Sequence, residues 1–516
     1  MSLVYLKNKK NGTVYVYECV SFWDKVKKKP ASKRSCIGKL HPTTKKIIPS
    51  KRLESSGSTI SLVAEPTAAV QSVGAVDFLN HICQILEIDE ILKSSFPEHW
   101  ELILSLAYFQ AMDNKPLSKI EHWTEVHRHP YSQFIDHRRV SELLPLLTEG
   151  RQMDFFRKWA KHRLKEECLA YDITSVSSYS ELNNMVRYGY NRDEENLPQV
   201  NLALLFGEKS LLPIYFRSLP GSIRDVSTLK NILQITEFLE LKKPHAVMDK
   251  GFFSHDNVRD LFANRMKFTM AIPFTCKFAR DQVEKVRPTI EHHENFIQVN
   301  GQNIFCNSLT TKWEGRRVYV HTYYNAHVGA EEYEKFLTDL YQWKKELETN
   351  TPVPERQLYY DLYLFVKETP KRGRKVTYNQ QAIDAYKQSR AGFLVLLSNV
   401  IKDPVRALQI YRNKDVAEKT FDNLKNVIDS KRLRVHLDES MKGRLFIQFI
   451  ALIFISYILK IAHEKDIFKL FGSVSSILDE LKLRNEILVS SRAKPIFTET
   501  TKSQRIILEA FGFDSW

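Results

Sequence analysis

Cysteine is scarce in this chain. There are six in 516 residues (Cys19, Cys36, Cys83, Cys168, Cys276 and Cys306), and no two stand at CxxC spacing. That excludes a zinc knuckle and a thioredoxin-like redox motif. A disulfide framework is not expected in so long a chain with so few thiols, and a reducing, cytosolic setting fits. No segment reads as a Walker A loop, a GxGxxG turn or an HExxH helix, so a nucleotide cofactor is not expected. Residues 1–10 are mixed and lysine-rich, without the apolar stretch of a signal peptide. Long apolar runs are also lacking. The longest, residues 445–459 (LFIQFIALIFISYIL), has 15 residues and contains Gln448 and Ser456. A membrane span needs about 20, so a buried core helix and a cytoplasmic protein with no membrane role are expected.

What is present is ordinary globular material with a charge excess. Apolar residues make up 43% and charged residues 27%, and the length calls for two to four domains. Lysine and arginine number 76 against 61 acids, a net charge of +15. Such an excess suits a polyanion, either nucleic acid or an anionic surface.

Along the chain, residues 1–50 read as a small basic β unit. Asn11-Gly12 is a hairpin turn signal before VYVYECVS, and Lys25, Lys27, Lys28, Lys29, Lys33 and Arg34 crowd the same segment. Backbone contact with DNA and a solvated hairpin are both open for this unit. Residues 51–74, rich in Ser, Thr, Gly and Ala, read as a linker. Residues 75–165 show helical periodicity, with Phe78, Leu79, Ile82 and Leu86 on one stripe. His127, Arg128, His129, His137, Arg138 and Arg139 make this region basic enough for a DNA-end-binding domain. Strands are then expected at 168–176 (CLAYDITSV), 201–206 and 211–216, the three being antiparallel neighbours because their connections are short. A helix, a short strand ending in Asp249, a second helix and a strand at 267–272 complete an α/β core over 166–274. Residues 275–390 read as an inserted β-rich subdomain with a second sheet. The core resumes at 391–462 with a strand (GFLVLLSN), a long helix from about 404 to 428 and the apolar helix. Residues 463–516 read as a C-terminal helical region that could serve dimerisation.

Three acids stand out on these elements. Asp172 lies inside a β run and Asp249 at a strand end; an acid within a strand opposes β propensity, and such conflicts often mark functional positions. On the long helix, Tyr411, Lys414, Glu418 and Lys425 follow at offsets of 3, 4 and 7, within an arc of about 60°. Taken singly, each has a plain alternative, since Lys and Glu at i, i+4 are commonly a solvated pair. Together they bring three carboxylates from two strands and one helix to one place. Such a cluster needs a counter-charge to stay ionised. All-oxygen ligation favours Mg²⁺, with Mn²⁺ able to substitute, and two such ions suit phosphodiester cleavage.

The spacing Tyr411, Lys414, Glu418, Lys425 resembles the Y-x2-R-x3-E-x6-K signature of DDE transposases from bacterial insertion sequences, the cut-and-paste group. Lysine replaces the signature arginine at 414, which keeps the charge but loses the planar fork; Arg412 stands close by. YDITSVSSYS around Asp172, LPGSIRDVSTL (219–229), MDKGFFSHDNVRDL around Asp249 and GFLVLLSN resemble further blocks of that family, in order, over about 165–460. The separation of 169 positions between Asp249 and Glu418 resembles the place of its β-rich insertion. The resemblance implies a ribonuclease-H-like core and an enzyme that binds the terminal inverted repeats of its element, cuts there and joins the freed 3′-hydroxyls to target DNA. It implies Asp172, Asp249 and Glu418 as catalytic metal ligands, and Tyr411, Arg412, Lys414 and Lys425 as DNA-binding residues. It also implies double-stranded DNA as partner, a homodimer in the synaptic complex, and a bacterial cytoplasmic protein associated with the nucleoid when bound to DNA. Two other readings share the fold: a domesticated, non-catalytic DNA-binding protein, and a metal-dependent nuclease without strand transfer. Trp313, in the insertion, is either a core residue or a stacking partner for a displaced base. Glu291-His292-His293-Glu294 is expected to be a polar turn.

Overall fold

The computed structural model describes residues 2–8, 13–24, 29–41, 47–49, 69–163, 167–178, 185–189, 197–223, 229–241, 244–369, 373–414, 432–433, 438–488 and 494–513. The chain divides into two units, Met1–Ala69 with Leu488–Lys494, and Val70–Ile487 with Pro495–Trp516. In the first unit, β1 (Ser2–Lys7), β2 (Val14–Asp24), β3 (Lys29–Leu40) and β4 (Ile47–Pro49) form an antiparallel meander in that order. β1 and β2 pair as the hairpin signal predicts, from Lys7 opposite Val14 outward; Asn11 and Gly12 themselves lie outside the described residues.

The second unit begins in the expected linker, with β5 (Ala69–Ser72). Six helices follow: α1 (Gly74–Leu86), α2 (Ile88–Ser95), α3 (Trp100–Asp113), α4 (Ile120–Val126), α5 (His137–Leu143) and α6 (Glu149–Arg163). The apolar stripe of α1 is buried as its periodicity requires, with Phe78, Leu79 and Ile82 fully covered. The basic cluster here is only partly a surface. His127 and His129 are buried against the Trp123 ring, and burial pushes His129 down to about 4. Arg128 is paired with Asp77 and Glu486, His137 with Glu121 and Arg138 with Glu142.

Next come β6 (Leu169–Ser178), β7 (Gln199–Gly207), β8 (Pro213–Pro220), α7 (Leu229–Phe238), β9 (His245–Met248), α8 (His255–Ala263) and β10 (Lys267–Ala271). In space the strands run β8-β7-β6-β9-β10. β7 is antiparallel to both its neighbours, while β6, β9 and β10 are parallel. This is a ribonuclease-H-like arrangement. β6 pairs β9 only through Leu169 and Ala170. Farther along, Ser177 and Ser178 pair instead with β17 (Arg432–Leu433). The sheet therefore splits in the stretch that carries Asp172.

After α9 (Lys277–Val286), the strands β11 (Phe296–Val299), β12 (Gln302–Trp313) and β13 (Arg316–Tyr324) form a meander. They do not make the expected second sheet. β16 (Phe393–Ser398) sits between β10 and β13, so one ten-stranded sheet continues through them. The reason lies in β16, whose run FLVLLS is nearly all buried; such a strand needs neighbours on both edges and cover on both faces. The rest of the insertion is α10 (Ala326–Glu348), α11 (Gln357–Tyr363), the hairpin β14 (Leu364–Thr369) and β15 (Gly373–Tyr378), and α12 (Gln380–Ser389). It has its own small core around Phe336, Trp343, Tyr360 and Tyr363. Gly392, with φ +78°, lets the chain return to β16 close under α10, where a Cβ would meet the Asn325 carbonyl.

Residues 404–414 form α13. Asp403 caps it by accepting from Val405 and Arg406 N–H, at 3.1 and 3.3 Å, and Pro404 starts it. The apolar run lies in α14 (Asp438–Glu464). By length and composition this helix could cross a membrane, but it is a core helix. Phe446 packs on Phe96, Phe155 and Phe156, Phe449 on Phe216, and Phe454 on Tyr108. Each fully buried side chain of this size contributes about 1.5–3 kcal/mol. The C-terminal region, α15 (Phe468–Phe471), α16 (Val474–Lys482), β18 (Asn485–Leu488), β19 (Ile496–Phe497) and α17 (Lys502–Ala510), joins the same helical layer. There Phe511 stacks edge-on against Phe78.

Candidate active site

Side chains alternate faces along a strand, so Asp172 shares one face of β6 with Ala170. In the parallel pairing, Ala170 stands opposite Val247, an offset of 247 − 170 = 77. For the two acids, 249 − 172 = 77 as well. Ala170 and Val247 are the last pair, and Asp172 and Asp249 each lie two residues beyond it along their own strands, on the side that those two residues face. Asp172 is 4% exposed and lies across from Leu204 of β7. Asp249 follows the last residue of β9 and opens a 3-10 turn, Lys250–Phe252.

The same face carries α13. Ala407 and Leu408 pack on Ala271, Tyr323 and Leu396, with Tyr411 at the margin. From there the Tyr411 hydroxyl donates to Asp249 Oδ1 at 2.8 Å. Lys414, one turn on, is 1% exposed, and its ammonium lies 5.7 Å from the Tyr411 ring centre. Burial alone would raise the Asp249 pKa. The Lys414 charge, the Tyr411 hydroxyl, and the Lys250 N–H and ammonium outweigh it and hold the carboxyl below its ordinary value. Glu418 and Lys425 lie outside the described residues.

A second carboxylate meets the same helix. Glu208, 2% exposed, accepts from Asn413 Nδ2 at 2.6 Å and Arg406 Nη2 at 3.2 Å. On the same face Cys168 Sγ lies 3.2 Å from His245 Nδ1. This pair is no thiolate nucleophile: burial pushes Cys168 up to about 11 and His245 down to about 4, so both are neutral near pH 7.

Asp249, Lys250, Tyr411 and Arg412 border a cleft of ≈ 1000 Å³ that extends to Lys335 and Arg390 of the inserted segment. Trp313 does not line it. That ring is 5% exposed and stacked on His255 at 5.0 Å, so it is a core residue. Residues 291–294 are exposed, as a polar turn should be.

The family model for a transposase DDE domain matches residues 163–454, more than half of the chain. The chain belongs to the transposase DDE domain family. This transposase is therefore an enzyme of DNA transposition, one that cleaves DNA and transfers its strands. No curated protein matches the sequence. Among solved structures, the transposase is similar to a piggyBac transposase in a cryo-electron microscopy structure of a synaptic complex with hairpin DNA. Identity there is 9%, the TM-score is 0.38, and the match covers 77% of this chain and 70% of that one.

DDE transposases generally use divalent metal ions, and the donors at this site fit such a group. Asp172, within β6, and Asp249, just past the neighbouring β9, are hard oxygen donors, the type that binds Mg²⁺ or Mn²⁺. Among the described residues no cluster of three or more His, Cys, Asp or Glu is formed; the third expected acid, Glu418, is not among them. Lys414 is buried and its charge acts on Asp249. Its burial turns the ammonium toward carboxylate charge rather than solvent, and Tyr411 likewise gives its hydroxyl to Asp249. Of the expected DNA-binding residues, Tyr411 and Arg412 border the open cleft. Sequence reasoning missed Glu208, Arg406 and Asn413, since GEKS at 207–210 reads only as a turn.

Proposed function

We propose that this chain is the transposase of a bacterial insertion sequence, cutting at the terminal inverted repeats of its element and joining the 3′-ends to target DNA. Asp172, Asp249 and Glu418 are its catalytic carboxylates and the ligands for two Mg²⁺ ions, with Mn²⁺ able to replace them. The observation that carries this reading is the parallel pairing of β6, which bears Asp172, with β9, which Asp249 follows. The Tyr411 bond to Asp249 supports it further, because it brings the helix preceding Glu418 to the same acids. The metal ions, when bound, supply charge that stabilises the entering and leaving oxygens of a phosphodiester.

The residues of the chain do the rest. Asp249 is kept ionised at neutral pH by Lys414, Tyr411 and Lys250, so it is ready to bind a cation. Lys414 balances the carboxylate charge from within the core. Arg412, with Lys335 and Arg390 across the cleft, attracts the phosphates of a DNA strand entering there; Lys425 is a further DNA-binding residue by its place in the signature. Joining two element ends calls for two copies, a homodimer in the synaptic complex.

The test is cleavage and strand transfer on DNA bearing the sequences that flank the chain's own gene, with Mg²⁺ or Mn²⁺. Asp172→Asn, Asp249→Asn and Glu418→Gln should each abolish both steps while DNA binding persists. Full activity in any one of them removes that residue from the site.

A further inference from the structure

Helix α13 carries Tyr411 to Asp249, so its register over the sheet matters. Apolar contacts of Ala407 and Leu408 hold it down, but such contacts are non-directional. Polar contacts fix the register. At the start of the helix, the Tyr323 hydroxyl donates to Pro404 O at 2.7 Å, and His321 Nε2 lies 3.1 Å from Ile401 O. Along the body, Arg406 and Asn413, seven residues apart and so on one side of the helix, both reach the buried Glu208 carboxylate. That carboxylate stands on a braced turn. Glu208 N–H donates to Cys168 O at 2.8 Å. Glu167 accepts the N–H groups of Lys209 and Ser210 and the Ser210 hydroxyl, each at 2.9 Å.

We propose that Glu208 is a positioning residue for the cleavage reaction. Through Asn413 and Arg406 it sets the rotation and height of α13, and thereby where Tyr411 and Lys414 meet Asp249. Hydrogen bonds to an ionised group are roughly twice as strong as neutral ones, and a rigid strut beats a sliding apolar contact at fixing register. Displacement of a catalytic group by about 1 Å can cost 10²-fold in rate. The inference rests on Asp249 being an active-site carboxylate. Retained activity in Asp249→Asn would remove that reading, whereas the Glu208 variants bear on the strut alone.

The experiment uses the full chain and duplex DNA bearing the sequences that flank its gene, with Mn²⁺, and measures kcat, KM, DNA Kd and thermal midpoint. Glu208→Gln loses the charge, and Asn413→Ala tests the same contact while leaving Glu208 ionised beside Arg406. Each should lower kcat at least fivefold with Kd unchanged within twofold, and the two losses should not multiply when combined. Pairing Glu208→Gln with Asn413→Asp exchanges amide and carboxylate and should restore kcat, which a loss of general stability would not allow. A kcat less than fivefold down in Asn413→Ala overturns the proposal. So do multiplying losses, failure of the exchange to restore rate, or a Kd that worsens in step with kcat.

Discussion

Asp249 is half-buried, and burial by itself would favour its protonated form. Lys414, Tyr411 and Lys250 reverse that and leave its pKa below the ordinary value. The sign of the pH dependence follows. A depressed carboxyl contributes stability that is complete above the unfolded pKa and is lost as pH falls through the depressed folded value. Tyr411→Phe removes the 2.8 Å bond. A hydrogen bond to a charged group is worth about 1.5 kcal/mol or more, which converts to roughly tenfold in kcat. We expect that loss together with an acid limb of the pH–rate profile displaced to higher pH; an unmoved acid limb would mean that the bond is absent from the working enzyme. At this scale the strand settings of Asp172 and Asp249 were readable in the sequence, because an acid in such a context is conspicuous. It was silent on Glu208, whose partner Arg406 lies 198 residues away. The burial of Lys414 was not legible either, since spacing along a helix says which residues share a side but not whether that side faces solvent or sheet.

The core strands β6 to β10 and β16 could be read from short apolar runs between turn signals, and the β6-β7-β8 order follows from short connections. The allocation of β11 to β13 could not, because which strand edge accepts another is decided by distant parts of the chain. Only the doubly buried character of β16 hinted that a neighbour was needed on its second edge. The apolar run of α14 was legible as core for a simpler reason, namely a length short of a span with polar residues inside it. Its packing also makes a prediction. At Gly443 the helix passes so close to the Leu144–Leu146 turn that a Cβ would collide with the Leu144 carbonyl. Gly443→Ala must therefore push α14 off that turn. We expect a loss of about 1–3 kcal/mol, the usual range for overpacking, seen as a lower denaturation midpoint. An unchanged midpoint would show that the contact yields without strain, since alanine otherwise favours a helix over glycine.

Charge is distributed unevenly over the molecule. Residues 1–50 hold twelve Lys and Arg against two acids, a net of 12 − 2 = +10. The other residues hold 76 − 12 = 64 basic and 61 − 2 = 59 acidic side chains, only +5. The catalytic domain is therefore close to balanced, and much of its charge is internally paired, as at Arg406–Glu208 and Arg128–Asp77. Long-range attraction to a polyanion must come mainly from the N-terminal segment. Counter-ion release makes log K fall with log salt at about 0.9 per phosphate contacted. Replacing Lys25, Lys27, Lys28, Lys29, Lys33 and Arg34 by glutamine takes the net charge from +15 to +9. In binding titrations from 50 to 200 mM salt, this variant should show a slope shallower by at least about 1 and weaker binding at the low end. Its kcat at saturating DNA should stay within about twofold, because a phosphate contact made equally to bound substrate and transition state changes binding and not the rate. A slope equal to that of the unaltered chain would assign these six charges to solubility alone, and the +5 of the remaining residues would then have to account for DNA attraction by their local arrangement around the cleft.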